Sequence, residues 1–119
     1  MKKSIREYLI RFYMIGLVCF ATQFLLACGQ AQTPVRVTLS MLVMSAEDFN
    51  HREVQAQGIV KYFETPLHYW IEDESGNRIA IFPNNIAAKY LDKSVLVTGR
   101  FAFSTTQGRS IEISDILEL

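Results

Sequence analysis

Two stretches of this chain carry one spaced pattern, and that pattern restricts the possible folds more than anything else in the sequence. Val54-x-Ala56-x-Gly58-x-Val60 and Val95-x-Val97-x-Gly99-x-Phe101 match position for position. Apolar residues at every second position put one face of an extended strand against a core. A glycine inside such a strand marks a bulge, a bend or a close approach of another backbone. Two long strands, each bent near its middle, are what a small closed barrel needs to turn its corners. Shared geometry is enough to account for the match, and duplication of the chain is not required.

The rest of the chain supplies partners for those two strands. In the first, Val54 to Tyr62, the opposite face carries Gln55, Gln57, Ile59 and Lys61. Glu64-Thr65-Pro66-Leu67 breaks the run, and His68 to Asp73 reads as a second strand. Ser75-Gly76-Asn77 is a tight-turn signal ahead of a third strand, Arg78 to Phe82. Pro83 to Tyr90 reads as a loop with a short helix. Ser94 to Phe103 and Ser110 to Leu117 are the fourth and fifth strands, joined by the flexible Ser104–Gly108. Ahead of all of them, Leu39, Leu42, Val43 and Ala46 recur at helical spacing, which predicts a short amphipathic helix over Val37–Ala46.

Five strands, glycine bends in the first and fourth, and a short helix between the third and fourth resemble the OB-fold, a five-stranded Greek-key barrel. More narrowly, the chain resembles the tRNA-anticodon-like OB domains found in exported bacterial proteins. The residues that carry this likeness are Val54–Val60, Tyr69-Trp70-Ile71-Glu72-Asp73, Gly76, Ile79–Phe82 and Leu91-Asp92-Lys93-Ser94-Val95-x-Val97-x-Gly99. The leading Thr38–Phe49 segment, followed by Asn50-His51-Arg52, fits such domains too. The resemblance implies a mainly β fold over residues 35–119 and says little about activity, because this fold hosts many.

The N-terminal part has a different character. Lys2, Lys3, Arg6 and Arg11 precede an apolar stretch, Phe12 to Leu26, that contains no charged residue. A basic region, an apolar run and a small residue at its end make a secretory signal. The run is shorter than the roughly 20 residues that a spanning helix needs. Cleavage is therefore expected, with an uncleaved helix lengthened by Tyr8, Leu9 and Ile10 as the alternative. Leu25-Leu26-Ala27-Cys28 resembles the lipobox of bacterial lipoproteins, with Leu26 a less usual occupant of its tolerant position. That resemblance implies a signal peptide over residues 1–27 and diacylglycerol on Cys28, with acylation (typically palmitate) of the new amino terminus. It also implies a lipidated tether over 28–34. Two or three acyl chains hold a protein firmly, whereas one gives marginal binding. Gly29 is not the aspartate that signals inner-membrane retention in Gram-negative lipoproteins. The implied location is the periplasmic face of the outer membrane in a Gram-negative source, and otherwise the outer face of the cell membrane.

This reading removes Cys19 with the signal and gives Cys28 to lipid. The mature chain then has no thiol for a disulfide, a metal or nucleophilic chemistry. Eight basic and eleven acidic side chains from Cys28 onward leave a net charge of −3, which argues against a general polyanion binder. His51 and His68 are the only histidines and have no neighbouring ligands at metal spacing, so no metal site is expected. Haem ligation by His68, as in the OB-fold haem chaperones, lacks that family's C-terminal histidine segment. Glu72-Asp73-Glu74 beside the turn reads as a solvated hairpin tip rather than a cation site. No nucleophile elbow or phosphate loop is present, so neither an enzyme nor a cofactor beyond the covalent lipid is expected.

The candidate ligand face follows from alternation. With Tyr69, Ile71, Ile79 and Ile81 inward, His68, Trp70, Glu72, Arg78, Ala80 and Phe82 point outward. Together with Lys61 on the first strand, His68, Trp70, Arg78 and Phe82 form the expected binding surface, with Trp70 as a stacking platform. The competing reading makes Trp70 ordinary core, covered by a barrel end or by the N-terminal helix. Three functional readings follow. The first is a non-enzymatic binding module for an envelope protein, a glycan or a small ligand. The alternative is a single-stranded nucleic-acid binder, opposed by export and acidic charge. A structural role, by pairing through an exposed strand edge, is the third.

Overall fold

The structure is a computed structural model that describes residues 32–119. The signal, the lipobox and Cys28 lie outside the described residues. Thr33–Leu119 forms one compact unit. Its elements are strand β1 (Val35–Arg36), helices α1 (Leu39–Met44) and α2 (Ala46–Phe49), and strands β2 (Glu53–Glu64), β3 (Leu67–Glu72) and β4 (Arg78–Phe82). Helix α3 (Asn84–Ala87) runs into a 3-10 turn at Ala88–Tyr90 and is followed by β5 (Ser94–Ser104) and β6 (Gly108–Glu118).

Strands β2 to β6 form a closed five-stranded barrel of OB type. The strands neighbour one another in the order β2-β3-β4-β6-β5, and antiparallel pairing of β2 with β5 closes the ring. The only parallel contact within the ring is the short one between β4 and β6, at Ala80–Phe82 and Ser110–Glu112. The five strands and the helical segment between the third and fourth agree with the sequence reading. Strand β1 does not appear in that reading. Its two residues pair in parallel with Val54 and Gln55, too short a run to show alternation.

The alternating apolar residues fill the barrel. Val54, Ala56, Val60, Ile71, Ile79, Ile81, Val95, Val97, Phe101 and Ile111 are wholly buried. Each large aliphatic or aromatic side chain removed from water in this way contributes about 1.5–3 kcal/mol. The predicted N-terminal helix is two short helices that meet at Ser45. Thr38 caps the first by accepting from the Met41 amide at 3.2 Å, which sets its start at Leu39, two residues later than the apolar spacing suggests. Leu39, Leu42, Ala46 and Phe49 bury their side chains in the common core. Arg109 ties this segment to β6 by donating through Nη2 to the Val43 carbonyl at 3.0 Å, satisfying a helix-end acceptor.

The matched glycine strands pair with each other. Val54 lies opposite Gly99, Ala56 opposite Val97 and Gly58 opposite Val95, so Ala56 and Val97 mark a local two-fold. The correspondence reaches further than the strand pattern. His51 and Asp92, at equivalent positions ahead of β2 and β5, both have positive φ, 66° and 61°. Val60 exchanges backbone bonds with Asp92 and Lys93, and its equivalent Phe101 does so with His51 and Arg52, all within 3.1 Å. The helical residues Ala46 and Ala87 precede these corners equivalently, and both are buried.

Candidate ligand-binding face

The outer surface of β2, β3 and β4 carries the site. Register puts Lys61 opposite Trp70, Trp70 opposite Ala80, Phe63 opposite His68 and Glu72 opposite Arg78. Tyr69, Ile71, Ile79 and Ile81 are inward, as the alternation requires, and Trp70 stands outward and half-buried. Trp70 therefore belongs to the surface row, not to the barrel interior.

Four side chains form a continuous row across this face, with the rings tilted against one another. Phe63 and His68 have ring centroids 5.9 Å apart, and His68 and Trp70 are 5.3 Å apart. The Arg78 guanidinium carbon lies 5.1 Å from the centre of the Trp70 ring, within cation–π range. Arg78 Nε also donates to Glu72 Oε1. His68 Nδ1 is 2.7 Å from the Pro66 carbonyl oxygen. A carbonyl only accepts, so Nδ1 carries a proton and Nε2 is the nitrogen left to meet a ligand. Phe63, His68, Trp70, Arg78 and Ala80 line a shallow depression of about 290 Å³. Alanine at position 80 leaves the space beside the indole open. Trp70 Nε1 itself is covered and has no acceptor among the described residues.

Of the five residues expected on this face, the structure brings His68, Trp70 and Arg78 together. Lys61 is beside Trp70 in register, but its amine is tied to Asp92 at 3.0 Å, a surface pair that contributes no more than about 1 kcal/mol. Phe82 is exposed on β4 and lies opposite Glu112, away from the depression. Phe63 takes part although the sequence reading ended its strand at Tyr62. One further step of the outward series Gln57, Ile59, Lys61 reaches it.

The acidic run at the hairpin tip has local work. Asp73 accepts from the amides of Ser75 and Asn77 and from the Asn77 side chain, at 2.8–3.0 Å. Desolvation pushes its carboxyl up, but the Asn77 side chain and the amides of Asn77, Ser75 and Gly76 together outweigh it and hold the group below its ordinary value near 3.8. Glu72 is paired with Arg78. Among the described residues no three His, Cys, Asp or Glu side chains cluster as metal ligands. A second and larger depression, about 560 Å³, lies beyond the Glu72–Arg78 pair toward β1 and includes Thr38, Gln57, Ile59, Glu72 and Ser94 in its lining.

The closed five-stranded barrel defines the class of fold, and its outer face carries aromatic side chains on the first and second barrel strands. No family model and no curated protein matches the sequence. Among solved structures, the hypothetical protein ygiW from E. coli is similar, with a TM-score of 0.54 and 18% identity. The match covers 76% of this chain and 99% of that one. Identity at that level establishes the fold alone.

Proposed function

We propose that this chain is a membrane-anchored lipoprotein whose OB-fold barrel is a non-enzymatic binding module for a protein, glycan or small ligand of the cell envelope. One observation carries the binding part. The only tryptophan stands on the outer strand face, next to a tilted histidine ring and an arginine and beside an open depression, in the region where OB barrels take ligands. Placed on the outer face and half-buried, this large aromatic side chain leaves part of its apolar surface open to a ligand. The anchor rests on the order of charge, apolar run and Leu25-Leu26-Ala27-Cys28 in the sequence.

Both parts are testable on the membrane-extracted protein. Its intact mass, beside that of Cys28→Ser, is expected to show a chain beginning at Cys28 with diacylglycerol attached, and the variant is expected to stay uncleaved and unmodified. A photocrosslinker at Phe63 in intact cells is expected to capture an envelope component. An uncleaved, unmodified wild-type chain would remove the anchor from this reading. A silent crosslinker at Phe63 would remove the binding face.

A further inference from the structure

We infer that the β2–β3–β4 face takes an uncharged glycan chain, laid along the two depressions that meet at the Glu72–Arg78 pair. The inference rests on the binding-module reading and names its ligand class.

Glu72 lines the larger depression and Arg78 the smaller, and the two side chains are bonded to each other. The depressions are therefore neighbours on one surface, with the ion pair as the ridge between them. A surface of this form suits an extended ligand better than a compact one. The smaller depression offers flat apolar surface from Phe63 and Trp70, with Ala80 keeping the approach open. The larger offers neutral amide and hydroxyl groups from Gln57, Thr38 and Ser94. A pyranose ring matches both, since it has one face of C–H groups and a rim of hydroxyls that donate and accept. The ridge adds a planar donor fork beside a carboxylate acceptor, which can meet two adjacent hydroxyls without breaking its own pairing.

Charge balance selects against the polyanion. Binders of single-stranded nucleic acid need unpaired cations along the backbone path. On this face Lys61 is paired with Asp92 and Arg78 with Glu72. Asp73 stays ionised within its own turn, so apart from the Glu72–Arg78 pair the larger depression carries Arg36 against Asp73 and Glu74, an excess of negative charge. Such a surface repels a polyanion, and a neutral ligand escapes that repulsion.

Trp70 is the only tryptophan, so its emission reports this face directly. The full-length chain, held in a detergent without a sugar headgroup, would be titrated with chitotriose, maltotriose and a thymidine oligonucleotide. A saturating emission change with one of the saccharides is expected, with Kd on the order of 0.1–1 mM. Arg78→Gln and Phe63→Ala are both at exposed positions and keep the reporter. Each is expected to weaken that binding ~5–10-fold. The inference is overturned by no saccharide response up to about 10 mM, by a response indifferent to both variants, or by salt-sensitive binding of the oligonucleotide instead. If the saccharides fail while the Phe63 crosslinker captures an envelope component, the glycan assignment falls and the binding module stands. If both are silent, both fall.

Discussion

The segment from Ala46 to Val60 and the segment from Ala87 to Phe101 are built alike, with 41 positions between equivalent residues such as Val54 and Val95. Each runs from a helical turn through a left-handed residue into a strand with a glycine at the equivalent position. Beyond the glycine they diverge. Strand β2 continues past Gly58 into the hairpin with β3 that carries Phe63, His68 and Trp70. Strand β5 continues past Gly99 into a plain hairpin with β6. The repeated part is what a barrel corner demands, and the candidate ligand face sits in the parts that do not repeat. One detail separates even the corners. Asn50 uses its side chain to accept from the Phe103 amide at 2.9 Å, sealing the far edge of β5. Its equivalent Leu91 instead makes a backbone bridge to Val60 on β2.

The two glycines test how far the likeness goes. At Gly99 a Cβ would lie 2.0 Å from the Glu112 carbonyl oxygen and 2.8 Å from the Ile111 side chain, at the bulge where β5 and β6 shift register. Backbone cannot swing aside as a side chain would, so the β5–β6 ladder has to open. Gly99→Ala is expected to cost roughly 3–5 kcal/mol, a large share of the stability of a domain this size. Urea unfolding followed by Trp70 emission measures it. A variant as stable as wild type would mean that the bulge is not fixed by close approach.

Gly58→Ala is the companion experiment. Its Cβ would meet the Glu72 amide and the Ile71 Cβ at 3.0 Å, tight contacts that a shift of a few tenths of an ångström relieves. A cost of about 1–2 kcal/mol is expected, partly offset by the lower entropy of the unfolded alanine chain. Equal losses at the two sites would make the corners energetically equivalent and break the distinction drawn from distance.

Much of this arrangement is legible in the sequence because alternation reports which face a residue occupies. It placed Val54, Ala56, Ile71, Ile79 and Ile81 inside and Trp70 outside, and the glycine pattern pointed to the corners. What alternation does not report is register. Whether Lys61 joins Trp70 or turns to Asp92, and whether Phe82 or Phe63 completes the row, depends on which residues lie opposite across strands. Contacts between distant segments fix that register. The break at Ser45 escaped for a similar reason, since Leu39, Leu42 and Ala46 keep one apolar face across both short helices. Cys28 lies outside the described residues, and its assignment rests on sequence alone.

The left-handed residues give the smallest effect and the finest test of equivalence. His51 and Asp92 occupy the same corner position with nearly the same φ. Non-glycine residues pay a steric penalty there, and a short polar side chain such as Asp tolerates it better than most. His51 has an exposed side chain, so His51→Gly removes the penalty and little else. A gain of about 0.5–1 kcal/mol is expected, reduced by the greater freedom of glycine in the unfolded chain. Asp92→Gly removes a smaller penalty and also loses the exposed ion pair with Lys61, so a change within about 0.5 kcal/mol of zero is expected. The two substitutions should therefore differ in effect although the backbone they sit on does not. If both stabilise equally, strain at the corner sets the outcome and the Lys61–Asp92 pair contributes nothing. A loss at His51 would instead show that its side chain supports the first corner in a way that Asp92 does not support the second.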